Sequence, residues 1–111
     1  MKKFLFLDDL RLPYSEDWFL VKTSDEAIAI LKTFRIEKIS LDHDLGESGN
    51  GTGLDVLNWL EESIFLNSYK FTLNEIILHS QNPVGVENMF RVANRIKSKI
   101  ENLTIRRENI Q

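Results

Sequence analysis

The chain has 111 residues, 42% of them hydrophobic and 28% charged, with a net charge of -3. That is enough for one domain around one core and too little for two, so residues 1–111 read as a single domain. The acidic balance argues against an extended nucleic-acid-binding surface, and the absence of cysteine excludes disulfides and zinc-thiolate sites.

In chain order, "MKKFLFLDDL" has a basic tip, but its apolar run stops at Asp8. It is too short for a signal peptide or a membrane span, so a cytoplasmic protein without membrane contact is expected. The run Phe4–Leu7 reads as a strand buried on both faces. Residues 10–17, "LRLPYSED", read as a loop broken by Pro13. Trp18–Lys22 reads as a short strand. Thr23 and Glu26 then have capping-box spacing, and Ala27, Ile28, Leu31 and Phe34 have helical spacing, which predicts a helix over 24–34. Lys38–Asp42 is the next strand.

Thr52 and Asp55 repeat the capping-box spacing, and Leu54, Leu57, Leu60 and Ile64 give the inner face of a helix over 53–64. The run at 75–80, "EIILHS", is a further buried strand. Asn82 caps a long helix with Pro83 in its first turn and an inner stripe of Val86, Met89, Phe90, Ala93, Ile96 and Ile100. Arg91, Arg95 and Lys99 read as that helix's solvated face. The tail "NLTIRRENIQ" is either a short edge strand or a frayed end.

Strands alternating with helices predict an α/β domain with a mostly parallel sheet of four or five strands, and right-handed crossovers place helices on both faces. In such sheets ligands bind outside the carboxyl ends of the strands. The polar residues that end the apolar runs therefore meet on one rim. These are Asp8 and Asp9; Asp42, His43 and Asp44; and His79, Ser80 and Asn82. Asp8, Asp42 and His79 are expected to share one pocket.

Each piece has a plainer reading as well. Aspartates favour turns, a strand-end histidine can bond a backbone carbonyl, and Arg11 can be an ordinary surface charge. Together they suit a different chemistry. Gathered carboxylates repel unless a cation lies between them, so Asp8, Asp9 and Asp42 suggest a hard divalent ion such as Mg²⁺. Two histidines that titrate near neutrality can serve as base and acid across one phosphorus centre. Arg11 and the amides of the loop "GESGNGTG", notably Gly51 and Thr52, could hold phosphate oxygens. Alternation along the third strand separates His43 from Asp42, so only one of them faces the pocket if the strand runs that far.

"FLFLDD" and "SLDHDLG" resemble the response-regulator receiver fold, with an acidic pair after the first strand and an aspartate, here Asp42, at the phosphoacceptor position. The chain departs from that pattern in the histidine after Asp42, in the glycine-rich loop, and in lacking both a fifth-strand lysine and a helix between the first two strands. "LDDLRLP", "SLDHDLG", "GTG" and "HSQNPVG" more closely resemble a divergent branch, the cyclic-phosphate processing receiver-like domain. The resemblance implies a flavodoxin-like three-layer sandwich and the processing of cyclic phosphates on nucleotides or RNA ends, as a cyclic phosphodiesterase-like hydrolase. It implies His43 and His79 as the catalytic pair with Asp42. It also implies Asp8, Asp9 and Asp42 as the acidic pocket and Arg11, Ser80 and Asn82 as supporting groups. The competing reading is a non-enzymatic module that binds Mg²⁺ and a phosphorylated ligand, or accepts a phosphoryl group on Asp42. A monomer or weak dimer is expected in either case.

Overall fold

The computed structural model describes residues 2–108. Its elements run β1 (Phe4–Leu7), β2 (Trp18–Val21), α1 (Ser24–Thr33), β3 (Lys38–Leu41), α2 (Gly53–Phe65), β4 (Glu75–Leu78), α3 (Pro83–Lys97) and β5 (Thr104–Arg107), with a 3-10 turn at Ser48–Asn50. The five strands form one sheet in the order β2-β1-β3-β4-β5, and every neighbouring pair is parallel. This is the expected receiver-like α/β fold. The ambiguous tail contributes the edge strand β5, while the last three residues of the sequence lie outside the described residues.

The helices form where local signals place them. Thr23 accepts the amide of Glu26 at the start of α1, and Thr52 and Asp55 close a full capping box on α2. Asn82 accepts the amide of Gly85 and leads into Pro83, which needs no donor at the first turn of α3.

In one respect the layers differ from the expected sandwich. Each crossover β2→α1→β3, β3→α2→β4 and β4→α3→β5 moves the same way along the sheet. Right-handedness then puts all three helices on one face. On that face Leu5, Leu7, Ile39, Leu41, Ile76 and Leu78 pack with Leu31, Leu57, Leu60, Met89 and Ile96 in one core. Each such fully buried side chain is worth about 1.5–3 kcal/mol relative to exposure. The opposite face carries a smaller cluster of Phe6, Trp18 and Ile77 with Phe4 at its margin. No helix covers it, because the β1–β2 connection is the irregular strap at 8–17. Tyr14 of the strap lies edge-on to Phe6 and tilts against Trp18, doing part of what a helix would do. Towards β5 the same face changes from apolar to charged. Lys38, Glu75, Arg106 and Glu108 alternate in sign, with N–O separations of 3.7, 3.1 and 2.6 Å along the row.

Candidate functional site at the carboxyl rim

The parallel register decides which rim residues are neighbours. Leu7 pairs with Leu41 and Leu41 with Leu78, so the next residues, Asp8, Asp42 and His79, leave three strands at one level. The amides of Asp42 and His79 still donate to Leu7 and Leu41 (both 3.0 Å), which keeps all three residues aimed to the helix-free face. Asp8, Asp42 and His79 therefore meet at one level of the rim but do not share one pocket, since of the three only Asp42 lines the cleft there.

Asp8 is fully buried. Its Oδ1 accepts the amides of Leu10 (2.8 Å) and Arg11 (3.0 Å), which turns the chain sharply into the strap. Burial pushes its carboxyl up, but those amides and His79 outweigh burial and hold it below the usual carboxylate range. Asp42 is buried too and goes the other way. Burial and then the Asp8 charge push it up, against the opposing pull of Ser80 and Arg11. Asp9 completes the cluster, with one oxygen from each of the three carboxylates within 4.8 Å of the others. Arg11 bridges the group, 3.4 Å from Asp8 and 3.6 Å from Asp42.

These three hard oxygen donors fit a divalent cation on their own chemistry. Two of them are buried, they repel one another, and the only guanidinium that touches them among the described residues makes long contacts. Asp9 and Asp42 border an open cleft of about 310 Å³ whose walls also include Arg11, Asp44, Ser80 and Asn82. Gly46, at φ 84°, lets the loop after β3 close over this cleft; a Cβ there would meet Asp9 Oδ2 at 3.0 Å.

Neither histidine lines that cleft. His79 is fully buried behind Asp8, with its ring stacked on Phe6 at 4.6 Å. Its Nε2 lies 3.0 Å from Asp8 Oδ2 and its Nδ1 2.6 Å from Ser40 Oγ. Burial pushes the imidazole down, and the Asp8 carboxylate only partly offsets this. A neutral ring therefore donates from Nε2–H to Asp8 and accepts the Ser40 hydroxyl at Nδ1. With its one hydrogen used there, Ser40 can only accept from Tyr14, whose single hydroxyl hydrogen is shared between Ser40 at 3.0 Å and Glu108 Oε2 at 3.3 Å. The result is a directed chain of donors, Ser40 to His79 to Asp8, with Tyr14 at its head. Sequence reasoning missed Tyr14 and Ser40. The available signal was a serine interrupting the apolar run of β3.

His43 takes the opposite face, as strand alternation requires. Its ring packs on Gly85 of α3, where an added Cβ would fall 2.5 Å from His43 Cγ. Its Nδ1 lies 2.8 Å from Asp44 Oδ1, and Asp44 also accepts both contacts of Asn82 Nδ2 at 3.3 Å. Those bonds pull the Asp44 carboxyl below its usual range, His43 contributing most. Asn82 is thus occupied at both ends, capping α3 with Oδ1 and holding Asp44 with Nδ2. Ser80 hydrogen-bonds Asp42 and accepts the amide of Asn82 at 3.1 Å.

The loop residues behave differently from the expected phosphate nest. The amide of Thr52 donates to Asp55 (2.9 Å) and that of Gly51 to Ser48 (3.4 Å). Capping α2 consumes the Thr52 amide and closing the 3-10 turn consumes that of Gly51, and neither residue lines the cleft.

The profile of the cyclic-phosphate processing receiver domain matches residues 3–95. The chain belongs to that family. A search of curated proteins returned no match. Among solved structures this receiver domain is similar to a response regulator from Burkholderia pseudomallei, described with a phosphorylated aspartic acid, a calcium ion and citrate. The TM-score is 0.55 at 15% identity, over 100% of this chain and 62% of that one. At that identity the likeness shows the fold alone, and it agrees with the parallel sheet. No helix among the described residues is long and apolar enough to cross a membrane.

Proposed function

We propose that the rim cleft binds the cyclic phosphate of a nucleotide or an RNA end and opens its ring by hydrolysis. The observation that carries this reading is the cluster of Asp8, Asp9 and Asp42 beside Arg11, in a family described by cyclic-phosphate processing. Asp8, Asp9 and Asp42 would hold a divalent cation, Mg²⁺ or another hard ion. Such an ion, when bound, neutralises phosphate charge and acidifies water. Arg11 then leaves its long carboxylate contacts to bind a non-bridging phosphate oxygen.

In the reaction the oxygen of water bonds to phosphorus. One phosphorus–oxygen bond to the ribose breaks, and a phosphomonoester with a free hydroxyl remains. Asp44, open to the cleft and backed by His43, accepts the proton lost by water. The departing ribose oxygen takes its proton from solvent in the open cleft. His79 acts through Asp8, which it fixes in orientation. In this form of the two-histidine reading each imidazole works through the carboxylate it touches.

A second reading has support from one observation. The similar response regulator carries a phosphorylated aspartic acid, and Asp42 occupies the end of the third strand with Ser80 against it. The domain would then accept a phosphoryl group on Asp42 and signal by contact. No lysine lines the cleft among the described residues, which favours the hydrolytic reading.

The deciding experiment follows 2′,3′-cyclic mononucleotides by phosphorus NMR with Mg²⁺ and with chelator. Expected is a phosphomonoester product that requires the metal and is lost in Asp42→Asn. A phosphorylated Asp42 after treatment with acetyl phosphate, with no turnover of any cyclic phosphate, would establish the second reading instead. Thermal melting supplies an independent check. A cation at a hundredfold excess over its dissociation constant should stabilise the fold by about 2.7 kcal/mol, and Asp42→Asn should abolish most of that gain.

A further inference from the structure

A second cavity, of about 660 Å³, opens at the other end of the sheet from the acidic rim. It lies between the end of α1, the outer side of α2 and the connection that leads into β4. Its volume is within the range of small-molecule sites. Phe34, Trp59 and Tyr69 supply aromatic walls, with the rings of Trp59 and Tyr69 5.4 Å apart. Lys32, Arg35 and Lys70 supply positive charge, and no carboxylate lines the cavity. That is a strong local bias in a chain with 17 acidic and 14 basic residues. The Tyr69 hydroxyl is buried beside the Thr72 side chain, so its ring is held in place as part of the cavity wall.

We propose that this cavity is a second ligand site, for a small anion that carries a planar ring, of the nucleoside monophosphate class. Aromatic walls recognise the ring by stacking, as every base offers a π-face. Lysine and arginine recognise the phosphate. Lys32 already sits 5.9 Å from the centroid of Trp59, so one cation lies beside the ring surface on which a base would stack. The site is independent of the hydrolytic reading of the acidic rim, because it shares no residue with it. A plainer account exists for Lys32, which ends α1 and complements the helix dipole. It does not account for Lys70, which lies on a connection, or for the aromatic walls.

The test is a titration of the whole chain with adenosine 5′-monophosphate, read by amide and indole NMR shifts. Shifts should centre on the Trp59 indole and on 68–72, and leave the amides of Asp8 and Asp42 unmoved. Adenosine alone and inorganic phosphate alone should each bind at least about tenfold more weakly, since each keeps half of the recognition. Lys32→Glu and Lys70→Glu are exposed changes that keep the fold, and each should lower affinity about tenfold. Saturating shifts that centre on the acidic rim would overturn the proposal. So would unchanged affinity in the Lys32→Glu, Lys70→Glu double variant, or no saturable shift at millimolar nucleotide.

Discussion

The surroundings of the two histidines differ more than their matching positions after two parallel strands suggest. His79 has a sheet face with no helix over it, yet it is the more buried of the two, sealed by Phe6, Ser40 and the Tyr14 strap. His43 faces the helical side, yet it keeps partial exposure at the seam where α3 begins and pairs with the exposed Asp44. A neutral imidazole with both nitrogens bonded inside the fold is a structural joint as well as a site group. An imidazole bonded to one exposed carboxylate carries far less of the fold. The difference teaches that register, not residue type, assigns these roles.

The largest test of that contrast is His79→Ala. It removes the ring stacked on Phe6 and leaves buried Asp8 Oδ2 with only its long Arg11 contact and Ser40 Oγ with only Tyr14. A loss of about 3–5 kcal/mol in urea unfolding is expected, against about 1 kcal/mol for His43→Ala. Equal losses would break the comparison.

His79 also ties stability to pH. Burial lowers the His79 pKa, so the unfolded chain binds the extra proton. The stability that His79 contributes is present above its unfolded pKa of about 6.5 and is lost as pH falls through the lower folded value. Asp8, also lowered, loses its contribution only below the ordinary carboxylate range, and the raised Asp42 acts with the opposite sign. Melting temperatures between pH 8 and pH 5 should therefore fall in the wild type and flatten in His79→Gln.

Gly85→Ala moves the other histidine without touching His79. Its Cβ would strike the His43 ring, and about 1–3 kcal/mol of stability should be lost. The double change Gly85→Ala, His43→Ala should recover much of it; a cost unchanged by removing the ring would mean the clash lies elsewhere. Smaller still is Tyr14→Phe, which keeps the aromatic contacts with Phe6 and Trp18 and removes the hydroxyl that bonds Ser40 and Glu108. About 1 kcal/mol is expected by chemical denaturation.

Much of this architecture is written locally in the sequence. Thr23 with Glu26 and Thr52 with Asp55 mark two helix starts by spacing alone, and both caps are formed. The continuous apolar runs identify the central strands, and the aspartates that end them identify the rim. The lateral placement of a strand and the depth of a rim residue are not local. That every crossover runs one way depends on strand order, which no window of sequence contains, so the helix-free face was not legible. His79 sits beneath the rim because Asp8 turns back over it to bond Leu10 and Arg11, a conformation set by three residues acting together. Gly51 and Thr52 look like anion-binding loop residues until the 3-10 turn takes the amide of one and the cap of α2 that of the other.

The strap over the helix-free face has a kinetic consequence. It has no regular structure, exposes Leu10 and Leu12, and is tied to the sheet largely through Asp8 and the Tyr14 hydroxyl. Few buried contacts mean a low free energy of local opening, well below that of global unfolding. The His79 Nε2–H can meet water only when this segment lifts, because the ring is fully buried beneath it. Exchange of that single ring proton therefore reports how often the strap opens, a clock built into the fold that Tyr14→Phe should speed up.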